Sequence, residues 1–145
     1  MRTSKGGQSA LLLLDVVEIL RREKVDYAVI GAFALAVLRV VRAITDVDAL
    51  LFTKPGRLAK LEKGFKREGF DTELRTAEAD DPVWGMLVVS DDFGNRVELL
   101  GGLRNMDPEI FSRTLEVKFR DETSSTPARP TRRLPAPLTW IYCAP

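Results

Sequence analysis

Among its 145 residues the sequence contains no histidine and a single cysteine, Cys143. The lack of histidine excludes Ser-His-Asp triads, Cys-His dyads and nearly all zinc sites. A single cysteine excludes an intramolecular disulfide and favours a reducing compartment, so we expect a cytoplasmic protein. Any metal must then be a hard cation held by oxygen ligands, such as Mg²⁺ or Mn²⁺.

The sequence also lacks a long apolar run and a strong charge of one sign. Its longest nearly apolar stretch, Tyr27 to Leu38, spans about 12 residues, whereas a membrane-spanning helix needs about 20. The net charge is +1, which gives no global attraction to nucleic acid or to membranes. No G-x-G-x-x-G motif for a dinucleotide is present. We therefore expect no membrane partner.

Apolar periodicity predicts alternating helices and strands, followed by a set of antiparallel strands. The predicted helices cover residues 9–24, 32–40 and 55–68, and Ser9 can cap the first of them. The predicted strands are 27–30, 46–52, "FDTELR", "WGMLVVSD" and "NRVELLGG", with "TLEVKF" as a further candidate. "DDFGN" has the composition of a hairpin turn. This order is typical of an α+β fold built on a mixed sheet.

The composition changes after Glu122. The segment 123–145 carries five of the eight prolines, three arginines and no acid. It has no helical or strand period, so we expect an extended or disordered tail. The predicted organisation is one domain over 1–122 and a proline- and arginine-containing tail over 123–145.

Two acids stand one residue apart at the start of the predicted strand 46–52. Alternate side chains of a strand share a face, so Asp46 and Asp48 would project together while Val47 points the other way. Their repulsion calls for a positive group between them. Glu98 is a third acid, inside the apolar stretch "NRVELL". If the two strands are neighbours, three carboxylates meet and can hold Mg²⁺; otherwise Glu98 is an edge-strand surface acid.

Gly31 and Ala32 lie between the predicted strand 27–30 and the helix that follows it. Glycine allows a close backbone approach to a ligand, and the N–H groups at a helix start can bind phosphate. Gly31 can equally serve a tight turn alone. An Asp-x-Asp pair by itself also occurs in glycosyltransferases and phosphatases, so the combination with Gly31 and Glu98 matters more than any single part.

Together, "VIGAFALAVLRVVRAITDVDALLF" and "NRVELLGG" resemble the nucleotidyltransferase superfamily of the DNA polymerase β type, over about residues 10 to 120. Within this superfamily, the stretch resembles the small bacterial members of the minimal and abortive-infection toxin type. The resemblance implies a mixed sheet with helices packed mainly on one face. It implies that Asp46, Asp48 and Glu98 are catalytic and ligate Mg²⁺ or Mn²⁺. It also implies that Gly31, Ala32, Arg42 and Thr45 contact the nucleotide.

The implied activity is transfer of a nucleoside monophosphate from an NTP, for example ATP, to a hydroxyl acceptor. The sequence leaves the acceptor open between RNA, a protein and a small molecule, and it leaves open whether the chain forms a homodimer. The alternative is a catalytically silent nucleotide-binding or interaction module, such as one half of a toxin–antitoxin pair. Ala32, where the family usually has glycine or serine, favours the silent module, whereas the three acids favour the enzyme.

Overall fold

The computed structural model describes residues 2–30, 46–54, 56–104, 114–117 and 138–141. Within them, the chain forms two helices and seven strands in one mixed sheet. The helices are α1 (Ser9–Arg22) and α2 (Arg57–Arg67). The strands are β1 (Asp26–Ile30), β2 (Asp46–Phe52), β3 (Asp71–Thr76), β4 (Gly85–Ser90), β5 (Arg96–Leu100), β6 (Thr114–Val117) and β7 (Leu138–Ile141).

The strand order across the sheet is β3-β4-β5-β2-β1-β7-β6. β2 pairs parallel to β5 and antiparallel to β1, and β4 pairs antiparallel to both β3 and β5. The α+β class and the mixed sheet that the sequence predicted are therefore confirmed. The predicted helix 32–40 lies outside the described residues.

Both described helices cover the same face of the sheet. Alternate residues of the strands point into one apolar cluster with the helices, as expected when a sheet buries one face. The strand members of this cluster include Val47, Ala49, Leu51, Val97 and Leu99, each fully or almost fully buried. The opposite face, which we call the outer face, carries Asp46, Asp48, Arg96 and Glu98 among others, because strand residues alternate.

Helix α1 differs from the prediction at its start. Ser9 does not cap the helix: the N-cap residue is Gln8, and it makes no capping side-chain hydrogen bond. Instead Ser9 is buried, and its hydroxyl oxygen accepts a hydrogen bond of 3.1 Å from the backbone N–H of Arg96. Ser9 therefore links α1 to the first residue of β5 and helps to position the start of this strand.

A strand is present where the sequence showed no strand period. β7 lies within the predicted tail, pairs parallel with β1 through Val29 and Trp140, and pairs antiparallel with β6. A short strand at this position needs only backbone hydrogen bonds from its neighbours, so periodicity could not indicate it. Residues 118–137 and 142–145 lie outside the described residues. In the described part of the chain, no helix has the length and apolar character needed to cross a membrane.

Candidate active site

Asp48 and Glu98 lie directly opposite each other on neighbouring strands. They are register partners in the parallel β2–β5 pair, where adjacent strands are about 4.8 Å apart. Both side chains are half-buried on the outer face, whereas Asp46 at the start of β2 is exposed. The predicted adjacency of the two strands is confirmed. Glu98 is not an edge-strand acid, because β5 lies inside the sheet between β4 and β2.

In this arrangement the pKa of the Asp48 carboxyl group is shifted upward. Burial raises the pKa of Asp48 above its ordinary value, and three further effects act in the same direction: the charge of Glu98, a side-chain hydrogen bond with Glu98 and the charge of Asp46. The burial follows from the register, because Asp48 lies opposite half-buried Ile30 of β1 and two residues before buried Leu50. An apolar surrounding disfavours a charged carboxylate.

Arg96 is part of the site, and the sequence analysis did not single it out. Its Nη2 lies 2.8 Å from Oε1 of Glu98, and both side chains are partly exposed. Residues two apart on a strand share a face, so the Arg-x-Glu spacing in "NRVELL" was a usable signal. Arg96 supplies a positive charge to the acids, but it does so beside Glu98 rather than between Asp46 and Asp48.

The three acids lie on the same face of the sheet, but they are not arranged as a complete metal site. In the part of the chain that the structure describes, no group of three His, Cys, Asp or Glu side chains is arranged to hold a metal ion. Glu98 is engaged by Arg96. The ligand roles of Asp46, Asp48 and Glu98 therefore stay predictions.

The predicted nucleotide contacts Gly31, Ala32, Arg42 and Thr45 lie outside the described residues. The strands on either side still locate the ends of this segment. The chain leaves β1 at Ile30, the register partner of Asp48, and returns to the sheet at Asp46. The chain therefore leaves β1 and enters β2 at the same end of these two strands, and this is the end that carries Asp46 and Asp48.

Comparison with known proteins bears on the fold. No family model and no curated protein matches the chain. Solved structures do match. A protein of Thermotoga maritima provisionally assigned as a nucleotidyltransferase matches with a TM-score of 0.62 at 16% identity, over 95% of this chain and 80% of that one. The lincosamide antibiotic adenylyltransferase LnuA, with lincomycin bound, matches with a TM-score of 0.54 at 12% identity, over 97% and 82%. The chain therefore has a nucleotidyltransferase-like fold.

Proposed function

We propose that the protein is a Mg²⁺-dependent nucleotidyltransferase that moves a nucleoside monophosphate from an NTP to a hydroxyl acceptor. The observation that carries the proposal is the opposition of Asp48 and Glu98 on the parallel strands β2 and β5, with Asp46 beside them. The similarity in fold to an adenylyltransferase supports the same reaction class. Fold alone does not determine function, so the proposed activity rests mainly on the three acids.

The residues present fit a magnesium ion by their chemistry. Carboxylate oxygens are the ligands that this hard cation prefers, and Mg²⁺ is usually held by one or two carboxylates together with substrate phosphates, not by a complete protein cage. The lack of a three-acid group among the described residues is compatible with this mode. Asp46 and Asp48 would hold the ion, with Glu98 as a further ligand. When bound, the ion would neutralise the charge of the triphosphate and polarise the α-phosphate.

The chain's own groups have distinct parts in the transfer. The acceptor oxygen forms a bond to the α-phosphorus, the bond from the α-phosphorus to the leaving oxygen breaks, and pyrophosphate departs. The proton of the acceptor hydroxyl passes to a carboxylate, and we assign this role to Glu98. Arg96, 2.8 Å from Glu98, holds that carboxylate in place and opposes the build-up of negative charge beside Asp48.

The test is label transfer from each α-labelled NTP to total RNA, to protein or to small hydroxyl compounds, with Mg²⁺ or Mn²⁺. Asp48→Asn should reduce transfer at least about a hundredfold, because a neutral amide is a poor ligand for a hard cation. Glu98→Gln should do likewise. Asp92→Asn is the matched control, because Asp92 is an exposed acid in the β4–β5 turn; it should leave transfer unchanged. Full activity of Glu98→Gln would contradict the role given to Glu98.

A silent nucleotide-binding module is the second candidate, and the ion pair between Arg96 and Glu98 favours it. If Arg96 stays paired with Glu98, fewer acids are left to bind a metal ion. This candidate predicts NTP binding, measured by calorimetry, with the same affinity in Mg²⁺ and in EDTA and with no label transfer. The enzyme predicts tighter NTP binding in Mg²⁺.

A further inference from the structure

A cleft opens at the other end of β2, away from the acids. It lies where the chain leaves α1, where α2 begins and where β2 ends, and its volume is about 930 Å³. Asp48 and Phe52, which lines the cleft, are four positions apart on β2, which corresponds to about 13 Å. Its lining includes Lys24, Phe52, Lys54, Arg57, Lys60 and Trp84.

The charged residues of this lining are all positive. They are Lys24, Lys54, Arg57 and Lys60, from three different parts of the chain, and the lining contains no acid. Within the described residues, no salt bridge engages any of the four. Arg57 instead donates a hydrogen bond to the backbone carbonyl of Glu23, which fixes its position. Positive charges spread along an open cleft suit a chain of phosphates better than a single anion.

Lys24 occupies a backbone position where lysine is unfavourable. Its φ is +56°, in the left-handed region where glycine or asparagine usually ends a helix. The N–H of Lys24 donates to the carbonyl of Arg21, and that of Val25 to the carbonyl of Leu20. These two bonds form a Schellman motif, whose left-handed position is occupied here by a lysine that lines the cleft. The motif therefore places a positive charge where glycine would be the less strained choice.

Two large aromatic side chains on the cleft are exposed to solvent. Trp84 is 40% exposed and Phe52 is 48% exposed. The guanidinium of Arg104 lies 4.2 Å from the ring centroid of Trp84. Planar rings beside unpaired cations are the features by which proteins bind single strands, since bases stack on the rings.

We infer that this cleft binds a single-stranded nucleic acid. The phosphates contact Lys24, Lys54 and Lys60, and a base stacks on the exposed part of Trp84. The inference does not depend on the proposed transfer reaction, because the cleft and the acids occupy opposite ends of β2.

The test is fluorescence anisotropy of a labelled single-stranded RNA of about 10 nucleotides, in EDTA and without NTP. Failure of the transfer assay would then leave this result untouched. Binding should weaken with salt, with a slope of log K against log salt near −2, as expected for about three phosphate contacts on a single strand. Duplex RNA of the same sequence and polyphosphate should each bind at least about fivefold more weakly, since neither offers an unstacked base to Trp84.

Three variants with matched controls test the residues. Lys24→Gly should lower affinity about threefold or more and reduce the salt slope by about 0.7, while the fold is retained because glycine suits this backbone position. Lys54→Gln with Lys60→Gln should lower affinity at least about tenfold. Lys63→Gln, on the exposed surface of α2 outside the cleft, should have no effect.

The aromatic contact has its own control. Trp84→Ala should lower the affinity for RNA about tenfold, in line with the loss of one stacked base. Phe93→Ala removes a ring that is 45% exposed at the opposite end of β4 and β5, and should change nothing. Equal binding of polyphosphate and single-stranded RNA, equal binding of duplex and single-stranded RNA, or full affinity in Lys24→Gly and in the double lysine variant would each overturn the inference.

Discussion

The two faces of the β2–β5 pair are built from alternate residues of the same two strands, yet they have opposite properties. Val47, Val97 and Leu99 on the helix-covered face are completely buried in the apolar cluster. Asp48 and Glu98 on the outer face are like charges held side by side by the same register. The buried face stabilises the fold and thereby holds the acids together against their repulsion. Truncation of the buried apolar residues and neutralisation of the outer-face acids should therefore change stability in opposite directions.

The largest effect should come from the buried face. Leu99→Ala should lower the free energy of unfolding by about 3 kcal/mol, because it removes a completely buried side chain and leaves a cavity. Urea unfolding measures the change. Leu100→Ala is the matched control: the next residue of β5 is only half-buried on the outer face, and its loss should cost less than about 1 kcal/mol. Equal costs would show that the two faces contribute alike.

A smaller effect of opposite sign should come from Asp48. In EDTA at pH 7, Asp48→Asn should be more stable than wild type by about 1 kcal/mol, since it removes a carboxylate from a half-buried site beside Glu98. The pKa of Asp48 is raised in the folded protein, so the folded state keeps its proton to higher pH than the unfolded chain does. The contribution of Asp48 to the stability of wild type therefore falls as the pH rises from the unfolded pKa, near 3.9, through the folded pKa.

The advantage of Asp48→Asn should accordingly vanish at a pH of about 3, where Asp48 is protonated in both states. Urea unfolding between about pH 3 and pH 7 measures it. Mg²⁺ should reverse the ranking at pH 7, since it adds about 1.4 kcal/mol to wild type at tenfold above its Kd and much less to the variant. A variant that is less stable than wild type in EDTA, together with no response to Mg²⁺, would indicate a structural role for Asp48.

The smallest effect should come from Asp46. This residue is exposed at the start of β2, where water screens its charge, so Asp46→Asn should stabilise the metal-free protein by no more than about 0.5 kcal/mol. Thermal melts in EDTA compare it with Asp48→Asn. A larger gain for Asp46→Asn than for Asp48→Asn would mean that exposure does not set the order of these effects.

The common face of Asp46 and Asp48 could be predicted from the sequence, because side chains alternate between the two faces along any strand. The boundaries of β2 and the shared face of Asp46 and Asp48 follow from residues 46–52 alone, and the adjacency of β5 followed from the resemblance to a known fold. The ion pair between Arg96 and Glu98 depends on side-chain geometry, to which the sequence pattern contributed only a spacing. The role of Ser9 was missed because a capping serine and a buried serine that contacts a neighbouring strand look alike in sequence.

The basic cleft was beyond sequence reasoning for a different reason. Its lysines come from the end of α1, the end of β2 and the first turns of α2, and no local period connects them. No pattern in the sequence relates Lys24 to Trp84, 60 positions further along the chain. Only the packing of the helices on the sheet brings them to one opening.

The parallel pairing of β2 with β5 also has a consequence for the order of folding. Asp46 and Arg96 are register partners although they are 50 positions apart in sequence, whereas β4 and β5 are joined by a short hairpin turn. Closing the longer loop costs more chain entropy and slows the formation of such contacts. We therefore expect the β3–β4–β5 antiparallel unit to form first and β2 to join it later. Until then Asp48 and Glu98 are separate and bear no repulsion, so the electrostatic cost of the site arises only when β2 joins β5.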